Sequence, residues 1–296
     1  MRFTNICLEG PDCSGKTTLY NKLHKETNYR YNIQDRSCMS MFVYAKLYKR
    51  NDASVWFNKI IDDLKRLDTL YVVLLPSEDF VLQRLSERGD DLQDEKSIIK
   101  VRNYFRNIAK MGFGSFPNVL VLEEENLENN IKKTIEFINS LNDMPGQELI
   151  KSLVLNSGRN ELIDVQCKEK VNRKNLDYSV LNFPQEKEYY ERIEKEITNT
   201  IFKEFTGLNQ YNKPQKHDSR RFIYTDNSCI SMIHTLWRQN SLNVSAILRS
   251  SNVSTTLWAD FEFLKILSVK IADEMSLPKN CDINLIVNIR SAHIVP

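Results

Sequence analysis

The sequence predicts two domains of different construction: an α/β domain with a parallel sheet over residues 1–142 and an α+β domain over residues 155–296. Three observations carry this. In the first half short apolar strands alternate with helical stretches, the pattern of βαβ units whose parallel sheet is covered on both faces. Turn residues cluster at Asn142-Asp143-Met144-Pro145-Gly146, marking a boundary and opening a linker over 143–154. Beyond it, strands and helices come in runs. A length of 296 residues agrees, since about 100–200 residues make an ordinary domain.

Residues 1–8 give a first apolar strand that runs into Gly10-Pro11-Asp12-Cys13-Ser14-Gly15-Lys16-Thr17-Thr18, and a helix follows from Thr17 to about Lys25. Tyr31 to Gln34 is a second strand, ended by Asp35-Arg36-Ser37. Met39 to Tyr48 reads as helical, and 53–67 as an amphipathic helix with Val55, Ile60, Ile61 and Leu64 on its apolar side. Leu70 to Leu75 is apolar without alternation, as in a strand buried on both faces. Pro76-Ser77-Glu78 starts a helix with Ser77 as its cap. Helices over 97–110 and 127–141 flank a strand at 118–122. In the second half 187–205 is a charged helix, 221–224, 231–238 and 242–248 are strands, 261–275 is a helix and 283–287 a last strand.

Composition narrows the function classes. Lys plus Arg is 41 and Asp plus Glu 39, a net charge of +2, which argues against a whole-chain electrostatic grip on nucleic acid and leaves a local basic groove open. Apolar residues at 41% and charged residues at 27% suit a globular chain. No run approaches the ~18–20 apolar residues of a membrane span, and the N-terminus lacks a signal-peptide layout. Cys7, Cys13, Cys38, Cys167, Cys229 and Cys281 form no CxxC pair, so an intracellular, reduced protein without zinc or a disulfide framework is expected. His217 and His234 have no partner at metal-ligand spacing. The 8 glycines stand against about 21 at average usage, so each cluster of them needs a reason.

One cluster has a chemical one. Gly10-x4-Gly15-Lys16-Thr17, between a strand and a helix, fits the phosphate-binding P-loop in full. The glycines let backbone N–H groups turn inward around phosphate oxygens, and the helix N-terminus adds positive potential. Lys16 reaches the β- and γ-phosphates and the Thr17 hydroxyl ligates magnesium.

Leu8-Glu9-Gly10-Pro11-Asp12-Cys13-Ser14-Gly15-Lys16-Thr17-Thr18-Leu19 resembles the P-loop of thymidylate kinases and their nucleotide-kinase relatives. The resemblance continues at Asp35-Arg36-Ser37-x-x-Ser40, at Arg84-x-x-x-Arg88-Gly89 and at Val101-Arg102-Asn103-Tyr104, spanning about residues 1–142. It implies an α/β P-loop kinase domain. The ATP-binding residues would be Gly10, Asp12, Cys13, Ser14, Gly15, Lys16, Thr17 and Thr18, with Asp12 also touching the acceptor's sugar. Asp35 would orient magnesium through water, with Thr17 as the other magnesium residue, and Arg36 would hold the acceptor's phosphate. Arg84 and Arg88, in the position of a basic lid, would neutralise the transferring phosphoryl group. Read without the resemblance, Asp35-Arg36 also fits a surface ion pair, and Arg84 and Arg88, on one helix face with Glu87, a solvated helix end. Two departures stand out. Only residues 19–32 separate the loop from the Asp35-Arg36 strand, so the family's acceptor-side insert is missing, and Glu95 rather than an arginine follows Asp94.

The second half resembles the thymidylate synthase superfamily, including its pyrimidine hydroxymethylase branch, over about 155–296. Asp218-Ser219-Arg220-Arg221, Cys229 followed twenty residues later by Arg249-Ser250, and Ser291-Ala292-His293-Ile294 occur in the family's order. The resemblance implies an α+β thymidylate synthase-like domain. Cys229 would be a thiolate that adds to C6 of a pyrimidine. Arg249 and Ser250 would bind the 5′-phosphate, with Arg220 and Arg221 reaching across from a dimer mate. Asp260 would read cytosine, and His293 would touch the sugar. Val295 replaces a tyrosine, Thr200 stands near the place of a catalytic glutamate, and Asn252 replaces an aspartate. With the chain ending at Pro296 the segment that closes over folate is not expected, which sets folate aside.

These readings leave four functions. The first is an ATP- and magnesium-dependent kinase of a pyrimidine deoxynucleotide, with a second domain that binds pyrimidine nucleotide or forms a homodimer. In the second the acceptor is a hydroxymethylated pyrimidine in DNA, as in a virus that makes modified DNA. The third adds one-carbon transfer at Cys229, and the fourth is a scaffold that binds ATP without turnover. Each implies a cytoplasmic location, the host's cytoplasm if the source is a virus.

Overall fold

The computed structural model describes residues 2–88, 94–158, 160–184, 186–207 and 222–295, with the backbone alone over 200–207. The chain divides into two compact units, Met1–Met144 with Leu155–Gly158, and Pro145–Val154 with Arg159–Pro296.

The first unit runs β1 (Asn5–Glu9), α1 (Lys16–Glu26), β2 (Asn32–Asp35), α2 (Cys38–Leu47), α3 (Ala53–Arg66), β3 (Thr69–Leu74), α4 (Glu78–Arg88), α5 (Glu95–Lys110), β4 (Val119–Leu122) and α6 (Leu127–Asp143). Its sheet has the order β2-β1-β3-β4 and every pairing is parallel. All of β3 is buried, as expected of a strand covered on both faces. Cys7, Tyr71 and Val73 pack against Met39, Ile60, Val101 and Phe105 of α2, α3 and α5. Helices α1 and α6 contact each other and reach β1 and β4. The expected apolar side of α3 needs one correction: Ile60 and Leu64 are buried, whereas Val55 is 60% exposed. Ser77 caps α4, its Oγ accepting from the Phe80 N–H at 3.1 Å. Asp94 caps α5, accepting from the Ser97 N–H at 2.7 Å.

The strand order places the site. Strand β1 has β2 on one side and β3 on the other, so the chain changes direction across the sheet at the carboxyl end of β1. Loops leaving parallel strands there diverge and open a crevice, the usual ligand position in such sheets.

The second unit contains α7 (Gly146–Asn156), β5 (Glu161–Lys170), a 3-10 turn at Tyr178–Asn182, α8 (Lys187–Gly207), β6 (Ile223–Thr225), β7 (Ile230–Arg238), β8 (Ser241–Leu248), β9 (Ser251–Asn252), α9 (Leu257–Glu274) and β10 (Asp282–His293). Its mixed sheet has the order β5-β10-β8-β7-β6, with β9 beside β10; β10 runs parallel to β8 and β9, and the other pairings are antiparallel. Helix α9 is buried along nearly its whole length. Tyr190 of α8 stacks on Phe263 of α9 at 4.2 Å between ring centres. Lys265, buried in α9, is neutralised by Glu169 at 3.2 Å and Glu262 at 2.7 Å, the arrangement that makes a buried charge tolerable.

The stretch 143–154, expected as a linker, is largely helical: α7 starts at Gly146 and buries Leu149, Ile150, Leu153 and Val154. Gly146 is there for close packing. Its N–H donates to Glu169 Oε2 at 3.1 Å, and a Cβ would lie 2.6 Å from that oxygen and 2.8 Å from the Phe261 ring. Gly146→Ala should therefore destabilise the second unit by about 1–3 kcal/mol, the usual cost of overpacking. Urea melts followed by tryptophan fluorescence measure it, and an unchanged midpoint would contradict the tight fit.

Candidate phosphotransfer site

The phosphate loop is built by backbone constraints. Gly10 ends β1 with φ +136°, and a Cβ there would stand 2.3 Å from the Leu74 carbonyl oxygen of β3, so only glycine fits. Cys13 (φ 61°) and Gly15 (φ 93°) are also left-handed, a succession that turns N–H groups toward a common centre. Gly15 is the N-cap of α1 and provides no side-chain partner for the helix's first N–H groups. Those donors face an incoming anion. The Ser14 hydroxyl is buried in the loop without a hydrogen-bond partner among the described residues.

Lys16 is only 5% exposed. Its ammonium donates to the carbonyl oxygens of Gly10 at 2.9 Å and Pro11 at 2.5 Å. Burial pushes its pKa down to about 8, against the opposing pull of Asp12. The Thr17 hydroxyl donates to Asp35 Oδ2 at 2.9 Å. The β1–β2 register, Leu8 opposite Asp35, brings that carboxylate to the loop.

Arg36 follows Asp35 in the left-handed region, φ 77°. Its guanidinium pairs with Asp12 and lies 5.6 Å over the Tyr44 ring, whose hydroxyl donates to Asp12 Oδ2 at 3.0 Å. Arg84 and Arg88 come from α4, and Arg84 Nη1 lies 3.2 Å from where a Gly15 Cβ would be. The loop, Asp35, Arg36, Arg84 and Arg88 line one cavity of about 340 Å³. Gly89 lies outside the described residues. Arg102 takes no part: it is buried, donating Nε–H to the Pro76 carbonyl at 2.7 Å and meeting Glu78 at 3.3 Å. Sequence reasoning missed Tyr44 and Glu9. Glu9 had a signal, being an acid at the end of an apolar strand. Tyr44 is one of two aromatics on α2 and had none.

In the second unit Arg220 and Arg221 lie outside the described residues, as do the side chain of Thr200 and all of His217. Cys229 is exposed, and its Sγ lies 4.0 Å from Ser250 Oγ. The Arg249 N–H donates to the Cys229 carbonyl at 2.7 Å, which fixes Arg249 and Ser250 beside the thiol. Burial first, then the Asp260 carboxylate, raise the pKa of that thiol. His293 is half-buried at the end of β10, opposite Asn252 of β9. Asp260 is 3% exposed. Its Oδ1 accepts from the Tyr190 hydroxyl and its Oδ2 from the Ser251 hydroxyl, both at 3.0 Å. Reading a base, as the resemblance implies, would use the lone pairs that these two bonds leave open on a carboxyl almost wholly buried.

No family model matches the chain, and no curated protein matches it. Solved structures similar to it include three of deoxyadenosine kinase from M. mycoides. The one with products dCMP and a flexible dCDP bound is 15% identical, with a TM-score of 0.37, and the match covers 47% of this chain and 100% of that one. The one with dCTP bound is 16% identical, TM-score 0.36, covering 46% and 100%. The one with dATP bound is 15% identical, TM-score 0.36, with the same coverage of 46% and 100%.

Burial raises the Asp260 pKa from 3.8 to about 7, partly offset by its two hydroxyl bonds. A carboxyl that binds its proton more tightly when folded contributes stability that is complete below the unfolded value and is lost as pH rises through the folded one. Between about pH 4 and 7 the second unit should thus lose roughly 2–4 kcal/mol. Asp260→Asn should flatten that slope in urea melts taken across the window. An equally steep slope in the variant would assign it to other groups.

Proposed function

We propose that the first unit is an ATP- and magnesium-dependent phosphotransferase whose acceptor is a pyrimidine deoxynucleotide. The observation that carries the reading is convergence: a P-loop, the Thr17–Asp35 oxygen pair and three arginines face one cavity. The choice of pyrimidine rests on the sequence resemblance of both halves.

The residues fit both groups the reaction needs. A triphosphate suits the loop, because the left-handed Cys13 and Gly15 turn its N–H groups toward the cavity and the buried Ser14 hydroxyl has no partner among the described residues. Thr17 and Asp35 offer two hard oxygen donors 2.9 Å apart, which suits an ion that takes its remaining ligands from phosphate and water. Bound magnesium would neutralise charge across the β- and γ-phosphates. Lys16 would exchange its two carbonyl acceptors for phosphate oxygens while its stem stays buried. Arg84 and Arg88, both on the cavity wall, would meet the charge that develops on the phosphoryl group. Arg36, already aimed by Asp12 and Tyr44, would hold the acceptor's phosphate. Positioning and charge neutralisation are nearly all this reaction asks of a protein.

We read the second unit as a domain that binds pyrimidine nucleotide through Arg249 and Ser250 and forms a homodimer. The Arg249 N–H bond to the Cys229 carbonyl, which sets Arg249 and Ser250 beside the thiol, supports a phosphate-binding role for this end of the β7–β8 pair.

Lys16→Ala should lower phosphoryl transfer at least about 100-fold, the scale of losing one group that stabilises transition-state charge, while leaving circular dichroism unchanged. A screen of deoxynucleoside monophosphates and of hydroxymethylated DNA with γ-labelled ATP names the acceptor. Label in DNA alone would transfer the reading to a base in DNA, and label in neither to an ATP-binding scaffold. With dCMP or dUMP the protein should release no C5 tritium to water. Release that is lost in Cys229→Ser would establish one-carbon chemistry instead.

A further inference from the structure

We propose that Glu9 is a positioning residue that holds Arg36 in register with the phosphate loop, an inference that rests on the phosphotransferase reading and adds a residue that reading does not use. Glu9 is the last residue of β1 and immediately precedes Gly10. Its side chain is fully buried. Oε1 accepts from the Ser37 N–H at 2.8 Å and the Ser37 hydroxyl at 2.6 Å, and Oε2 accepts from the Ser40 hydroxyl. Among the described residues Glu9 makes no ion pair; burial pushes its pKa up, and the bonds from Ser37 and Ser40 oppose that push.

All three donors lie on one segment. Ser37 directly follows Arg36 and is the N-cap of α2, and Ser40 is in that helix's first turn. The Arg36 N–H itself donates to the Leu8 carbonyl at 3.0 Å. Arg36 is thereby anchored to consecutive residues of β1, to Leu8 through its own backbone and to Glu9 through its neighbour. An arginine in left-handed conformation has a competing extended state that would swing the guanidinium away. The Glu9–Ser37 bonds oppose that state. The residue after Glu9 is pinned as well, with Gly10 pressed on the Leu74 carbonyl. One carboxylate therefore ties the donor-side loop to the acceptor-side arginine, and losing it would loosen acceptor binding before ATP binding.

The test is Glu9→Leu, which removes both acceptor oxygens at similar volume, with Glu9→Gln as the conservative control, since its amide oxygen can still accept from Ser37 and its NH2 can donate to the Ser40 hydroxyl. Expected in Glu9→Leu is a rise of about 10-fold in KM for the acceptor nucleotide and a KM for ATP within about twofold of the parent, with recovery in Glu9→Gln. Equal rises in both KM values, or a fall in Tm with both KM values unchanged, would overturn the inference by making Glu9 only a structural group. A parent protein that phosphorylates no nucleotide would instead sink the phosphotransferase reading. The positioning claim is then still decided by the Arg36 Nε–H resonance, assigned through its loss in Arg36→Lys. It should shift in Glu9→Leu and move back in Glu9→Gln; a resonance unmoved in Glu9→Leu refutes the claim whatever the kinase assay gives.

Discussion

The first unit is organised around a contact that admits no side chain: the backbone of Gly10 against the Leu74 carbonyl of the neighbouring strand. A Cβ at Gly10 would stand 2.3 Å from that oxygen, well inside van der Waals contact. The contact fixes where the chain leaves β1, at the point where strand order reverses across the sheet. Everything chemical in the unit is measured from there. Lys16 folds back onto the Gly10 and Pro11 carbonyls, Thr17 reaches Asp35 at the end of β2, and α4 brings Arg84 beside Gly15. Strand pairing explains why residues distant in sequence meet: parallel register carries Asp35 level with Leu8 without any loop having to search for it.

Much of this was legible in the sequence, and the reasons differ by element. The phosphate loop is readable because its geometry excludes most residue types, so composition reports conformation directly. Strand β3 is readable because burial on both faces leaves an unbroken apolar run. Arg84 and Arg88 could be placed on one helix face but not over the loop, since spacing along a helix says nothing about where the helix lies. Arg102, part of the resemblance but given no role by it, is a buried clamp on the turn after β3.

The second unit was harder to read for identifiable physical reasons. Strand β5 is an edge strand with charged residues, and Asp164 adopts φ 58°, so its buried positions Leu162, Val165 and Cys167 break a two-residue period. Helix α9 is apolar nearly all round, which leaves little periodicity to mark its start, and Asp260 accordingly sits inside the helix. Pro145-Gly146 has the composition of a turn but serves as a helix start, with the glycine chosen for its neighbours Glu169 and Phe261. The site residues there follow suit: Cys229, Arg249 and Ser250 are gathered at one end of the β7–β8 pair, while Asp260 lies beneath them with both oxygens engaged.

The buried ammonium of Lys16 has a thermodynamic corollary. With a pKa near 8 it is only partly charged at that pH in the free protein. A polyphosphate in the loop would favour the charged form, so loading the site draws a proton from the buffer. Nucleotide binding would therefore be a proton-coupled event, with a heat that depends on the ionisation enthalpy of the buffer and an affinity that weakens as the solution becomes more alkaline.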